Sequence, residues 1–323
     1  MRVVFCGTPQ FAVPSLKYLL AQSDFEITAV ITQPDRPRGR GREVSFSPVK
    51  EAAIAAGVPV HQPEKIRTPE AQELLQKLAP DVIVIIAYGQ IIPGRLLPIP
   101  KLGWINLHAS LLPKYRGAAP INWAIVNGEA KTGVTSMRID AGMDTGEILL
   151  QREMEIEPSE TAPELAARMS EIGAPLMVET LRGLVAGMIV ARTQPGEGAS
   201  SAPMLKKEDG RIDWSRPAPE MFNRIRGFAP WPGAYTSFRG QTCHIWGEPA
   251  SNDLSDFGDR SLHPSEGATP GALVVQGNSV AVKCGGATYL RLTSVKLEGR
   301  KQVSAAEFVN GAHLLTGEHF GES

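Results

Sequence analysis

Cysteine is scarce: Cys6, Cys243 and Cys284 are the only three in 323 residues, far apart and without C-x-x-C spacing. That pattern excludes a disulfide framework and a thiolate zinc site and fits a reducing cytoplasm. Histidine is sparse too, and His61, His108, His244, His263, His313 and His319 show no metal-ligand spacing, so no metal is expected. No apolar run approaches the ~18 residues of a membrane span, so no membrane partner is expected. The opening MRVVFCGTPQF reads as a first strand and turn, because its apolar stretch is too short for a signal peptide. Neither GxGxxG nor GxxxxGK[ST] occurs, which leaves a dinucleotide or P-loop site unsupported, and the G-x-S-x-G elbow of a hydrolase is absent too. Net charge is −1, so only local clusters can argue for a polyanionic partner.

What is present is an ordinary globular chain, 42% apolar and 21% charged, long enough for about two domains. RVVFCGT, EITAVITQ (26–33) and DVIVIIAY (81–88) read as strands, and residues 11–22, 48–57 and 68–78 carry helical spacing. The third strand has no polar alternation, as expected for a parallel sheet covered on both faces. Strand and helix alternate through residue 128, predicting an open, doubly wound α/β domain. GVTSMRI (133–139) and GEILLQREMEI (146–156) add an antiparallel piece, and 161–188 a long helix with Thr161 and Glu164 as a capping box.

Composition then changes. TQPGEGASSAPM (193–204) is rich in Gly, Pro, Ser and Ala and reads as a linker. Short, closely spaced strands follow, predicting a small β-barrel or sandwich, with a long surface loop over 250–270. The boundaries expected are 1–190, a linker over 191–205, and 206–323.

Two constellations carry chemistry. In WINLHASLLPKYRG, Asn106 and His108 lie two residues apart on a strand and so share a face, with Leu107 on the other. They sit at a strand's carboxyl end, where open α/β sheets bind ligands. A pair of hydrogen-bonded, half-buried polar residues would look the same. In DAGMDTGEI, Asp140 and Asp144 stand among turn glycines, and either could be a plain turn residue. A carboxylate against the imidazole would favour its protonated form, and Asn plus imidazolium could donate to a developing oxyanion. Spacing does not choose between the two aspartates.

Basic groups also cluster. PDRPRGRGR places Arg36, Arg38, Arg40 and Arg42 within seven residues in a Pro/Gly frame. A solvated loop is the plain explanation, but such a density of guanidinium groups suits phosphates. In the second half the basic residues are more scattered, with Lys206 and Lys207 adjacent. A small β domain with a basic face can hold nucleic acid.

The stretches FCGTPQFAVPSL, TQPDRPRGRG, APDVIVIIAYGQIIP, INLHASLLPKYRGAAPINWAI, TGVTSMRIDAGMDTGEIL and GRIDWSRPAPEMFNRIRGFAPWPGAYT resemble the folate-dependent formyltransferases. The arginine segment and the last stretch narrow this to the branch acting on methionyl initiator tRNA. The resemblance implies a Rossmann-like catalytic domain with a mostly parallel sheet, followed by a smaller all-β, OB-fold-like domain that binds tRNA. It implies 10-formyltetrahydrofolate as formyl donor, no metal, and a monomer working in the cytoplasm. Asn106, His108 and Asp144 become the catalytic set, which selects Asp144 over Asp140. Ser110, Leu111, Leu112 and Pro113 match the folate-contacting segment. Arg36, Arg38, Arg40 and Arg42 match a loop that reads the acceptor stem, and Lys206 and Lys207 are the expected contacts on the β domain.

Overall fold

The computed structural model describes residues 1–38, 43–250 and 269–321, with the side chains of residues 37, 38, 43 and 44 also outside the description. The chain divides into two compact units. The first comprises residues 1–120, 131–156 and 164–203, and the second 121–130, 157–163 and 204–323.

The first unit is built on a seven-stranded sheet. Its strands are β1 (Arg2–Gly7), β2 (Glu26–Ile31), β3 (Val60–His61), β4 (Val82–Ile86), β5 (Trp104–His108), β6 (Lys131–Arg138) and β7 (Ile148–Glu155). They run in the order β7-β6-β5-β4-β1-β2-β3. β1 to β5 are mutually parallel, and β6 is antiparallel to both β5 and β7. All five residues of β4 are buried, as its unbroken apolar run requires. Helix α1 (Val13–Leu20) follows β1. Helices α2 (Pro48–Ala55) and α3 (Pro69–Leu78) each begin with proline behind a hydroxyl cap. Ser47 accepts from the Lys50 N–H at 3.1 Å and Thr68 from the Ala71 N–H at 3.3 Å. The cap satisfies one of the helix's orphan donors, and proline has no N–H to leave unpaired there.

Two features aim β5 at a site. Helix α5 (Ala162–Val185), the next along the chain after α4 (Pro120–Val126), covers the face to which Leu107 points, and Gly173 makes room for it: a Cβ there would come within 2.5 Å of Leu107 Cδ2. Asn106 and His108 are thereby left to the opposite face. The chain also fills β2 and β3 on one side of β1 before returning to β4 on the other, which places the topological switch one strand from β5.

The second unit carries helix α6 (Ala218–Gly227), helix α7 (Ala305–Ala312) and an antiparallel sheet. Its strands are β8 (Tyr235–Phe238), β9 (Gln241–Ala250), β10 (Leu273–Gln276), β11 (Ser279–Lys283), β12 (Tyr289–Leu297) and β13 (Val303–Ser304). The order is β8-β9-β12-β11-β10, with β13 also on β12. Trp214, Phe238, Phe308 and Phe320 form its aromatic centre, with ring centroids 5.2 to 6.3 Å apart. Most of the long surface loop expected over 250–270 lies outside the described residues.

Candidate active site at the end of β5

His108 is only 5% exposed, and both ring nitrogens have neighbours. Nε2 lies 2.9 Å from the Tyr115 carbonyl, and Nδ1 lies 3.6 Å from Asp144 Oδ2. A carbonyl only accepts, so Nε2 carries the hydrogen and donates it there. Nδ1 is then the nitrogen free to gain or lose a proton, and it faces the carboxylate.

Asp144 is held by backbone. Its Oδ2 accepts the Gly117 N–H at 2.9 Å, and its own φ of 54° lies in the left-handed region. Asp140 does something else: its carboxylate accepts the Gly142 N–H at 3.0 Å and the Thr145 hydroxyl at 2.8 Å. That makes it the turn-former of the loop. The geometry thus brings Asn106, His108 and Asp144 to one strand end and leaves Asp140 in the turn.

The loop is pinned from a distance. Gln194 Nε2 donates to the carbonyls of Asp144 at 2.8 Å and Gly146 at 2.7 Å. Its Oε1 accepts from the Arg116 guanidinium at 3.0 and 2.7 Å. Sequence reasoning passed over Gln194, because it stands in a stretch whose composition reads as linker. In the structure that stretch belongs to the first unit up to Pro203. Arg192 exchanges two backbone hydrogen bonds with Ile148, at 2.8 and 2.9 Å. Ser201 and Ala202 pair in parallel with Arg116 and Gly117. Gly117 is needed in that pairing: its φ is 123°, and a Cβ would sit 2.6 Å from the Ala202 carbonyl oxygen.

The segment 110–113 is tied inward. Ser110 is fully buried, and its hydroxyl donates to the Lys114 carbonyl at 2.6 Å. Leu112 packs with Met137 and Ile148. Thr135, opposite His108 across β5 and β6, donates to the Ser110 carbonyl at 2.6 Å and accepts the Leu112 N–H at 3.2 Å. Gln151 Nε2 adds bonds to the Leu112 carbonyl at 2.9 Å and the Thr135 hydroxyl at 3.1 Å. Leu111 and Pro113 are half-buried.

The basic candidates are placed as follows. Arg36 is exposed and lies 3.3 Å from Glu64. The backbone of Arg38 belongs to a short ribbon, Arg36–Arg38 against Glu43–Ser45, while Arg40 and Arg42 lie outside the described residues. Lys206 and Lys207 are exposed and belong to the second unit. There, burial first and then Lys296 and Lys207 push the His244 imidazole below its usual range. Burial raises the three thiols, Cys243 and Cys284 to about 12 and Cys6 beyond, so none is a thiolate near neutrality. Among the described residues no group of three or more His, Cys, Asp or Glu could hold a metal ion, and no helix is long and apolar enough to cross a membrane.

The chain thus joins an open α/β unit, with Asn106, His108 and Asp144 near the end of one strand, to an antiparallel β unit. Residues 1–181 match the family model for formyl transferase, and residues 204–313 match that for the formyl transferase C-terminal domain. The chain belongs to the formyl transferase family. Among its relatives is the methionyl-tRNA formyltransferase of Solibacter usitatus, 52% identical over 322 residues, covering 100% of this chain and 99% of the relative. The enzyme of the same name from Koribacter versatilis is 50% identical and covers 99% of each. A similar solved structure, the sugar 3N-formyl transferase WlaRD with dTDP and 5-N-formyl-THF, superposes with a TM-score of 0.63 at 18% identity. The match covers 93% of this chain and 99% of that one, and it speaks to the fold.

Proposed function

We propose that this chain moves the formyl group of 10-formyltetrahydrofolate to the α-amine of methionyl initiator tRNA, releasing tetrahydrofolate. Full-length likeness to enzymes of that name supports the reaction. The observation that carries the mechanism is the 3.6 Å approach of Asp144 Oδ2 to His108 Nδ1 beside Asn106.

The free amine attacks the formyl carbon, and charge builds on the formyl oxygen. The Asn106 amide N–H and the His108 Nδ1–H of the imidazolium donate to it. Donors fixed in advance are worth most here, and losing one typically costs about 10²–10³ in kcat. Asp144 faces Nδ1 and accepts the ammonium proton, directly or through water. Collapse then breaks the bond to the folate nitrogen, which takes up the proton that Asp144 accepted from the amine, so the carboxylate is regenerated. With the Ser110 and Leu112 side chains turned inward, the 110–113 segment serves the folate through its backbone and through Leu111 and Pro113.

On this reading Arg36, Arg38, Arg40 and Arg42 contact the acceptor stem, and Lys206 and Lys207 contact the tRNA backbone. The chain works as a monomer in the cytoplasm. The second unit does not separate this reading from a small-amine enzyme, since the sugar formyl transferase matches 93% of this chain; the arginine segment is what favours a polyanionic substrate. The test supplies 10-formyltetrahydrofolate with charged initiator tRNA and, separately, elongator methionyl-tRNA. Formylation of the initiator alone is expected. No product with either would overturn the reaction, and equal rates would overturn the role of the arginines.

A further inference from the structure

We propose that Lys50, Asp35 and Gln62 form a clamp that fixes the root of the arginine ribbon, and that this clamp sets how well the enzyme engages its tRNA. It rests on the reading of the arginine segment as a tRNA contact.

The four arginines fall in sequence between β2 and α2, and Arg36–Arg38 pairs with Glu43–Ser45 there. Asp35 is the last residue before the ribbon, and Lys50 stands in the first turn of the helix after it. The Lys50 ammonium donates to Asp35 Oδ2 and, at 2.7 Å, to Gln62 Oε1. The Gln62 amide donates onward to Asp35 Oδ1 at 2.9 Å and to the Gln33 carbonyl at 2.8 Å. Three side chains therefore close a ring in which each contacts the other two. The ring is sheltered, with the Lys50 and Asp35 side chains 14% and 20% exposed. Lys50 Nζ also lies 4.0 Å from the centre of the Phe46 ring, on the outgoing arm. One layer deeper, the Ser47 and Thr32 hydroxyls bond at 2.8 Å, tying the same two chain ends together again.

These side chains spend their hydrogen bonds on one another and on the Gln33 carbonyl. A charged arm swinging freely pays its ordering entropy on binding, whereas a fixed root leaves less to lose and sets the direction of approach. Lys50 spends its charge on Asp35 and Gln62, so it is a positioning residue and not a phosphate ligand. The exposed Arg36–Glu64 pair adds little to the hold.

The experiment is a double-mutant cycle on the full chain. Lys50→Met is made alone, together with Arg36, Arg38, Arg40 and Arg42 all changed to Ala, and the quadruple variant alone. Initial rates are measured with charged initiator tRNA and 10-formyltetrahydrofolate. Lys50→Met is expected to raise the tRNA KM about tenfold, with kcat and the folate KM within twofold. Lys50→Arg, which keeps the charge, recovers most of the loss. In the arginine-free background the same Lys50→Met change does nothing further. An equal loss in both backgrounds overturns the clamp, as does a loss in kcat or folate KM alone. If the quadruple variant itself keeps a normal tRNA KM, the arginine reading fails first, and the cycle records that separately. Thermal melts of each variant confirm that folded protein is compared.

Discussion

Asp144 Oδ2 approaches His108 Nδ1 to 3.6 Å while accepting the Gly117 N–H at 2.9 Å. The carboxylate is thus held by one firm hydrogen bond and stands just short of a second. Asp144→Asn keeps an oxygen for the Gly117 N–H but removes the carboxylate that faces Nδ1 and would accept the amine's proton. Steady-state rates should show kcat reduced by about 10²–10⁴, the range for losing a positioned acid or base. Folate affinity, measured by fluorescence titration, should stay within a few-fold. A kcat within twofold of the parent would remove Asp144 from the mechanism.

Asn106→Ala tests the oxyanion donor directly. The side chain lies at the strand end and is only partly buried, so its loss should leave the melting temperature nearly unchanged. Turnover should fall by about 10²–10³ with little change in either substrate's KM. A loss seen only in folate KM would mean that the amide binds folate and does not stabilise the transition state.

Gln194→Ala removes the side chain that ties the 144–146 loop to Arg116. It strands the carbonyls of Asp144 and Gly146 and the Arg116 guanidinium. Leaving such buried groups unpaired costs about 1–3 kcal/mol. Denaturant unfolding should register that loss, and kcat should fall with it because the 144–146 loop is no longer pinned. Unchanged stability would show that water replaces the amide.

The clamp also makes a prediction about acid. Hydrogen bonds from Lys50 and Gln62 hold the Asp35 carboxyl below its ordinary 3.8. A depressed carboxyl stabilises the fold fully above its unfolded value, and that contribution fades as pH falls through the folded one. The stability gap between the parent and Lys50→Met should therefore be present at neutral pH and shrink below about pH 4. Urea unfolding at neutral pH, at pH 5 and at pH 3 checks this, and a gap that widens in acid would contradict it.

Much of the fold can be read along the chain because its cues are local. The apolar run 82–86 reports burial on both faces, and the 106/108 spacing reports a shared face. Asp144 differs from Asp140 only through contacts that no period carries. One aspartate bends its own turn, while the other meets a histidine 36 positions earlier on the backbone's return. Gln194 and Thr135 were invisible for the same reason, since each looks ordinary for its segment and acts on groups far away in sequence. The clamp joins positions 35, 50 and 62, separations that match neither a helix nor a strand. Composition also gave no sign that Gln194, Ser201 and Ala202 are held in place, because glycine, serine and proline describe a strap pinned by hydrogen bonds as readily as a tether.

That strap bears on the order in which the protein is made. Asn106, His108 and Asp144 are all synthesised before Gln194 and the paired residues 201 and 202. A nascent chain halted at residue 190 would carry every reactive side chain and still lack the segment that holds their loop in place. Catalytic competence should therefore appear late in synthesis, arriving with a glycine-rich stretch and not with the last reactive residue.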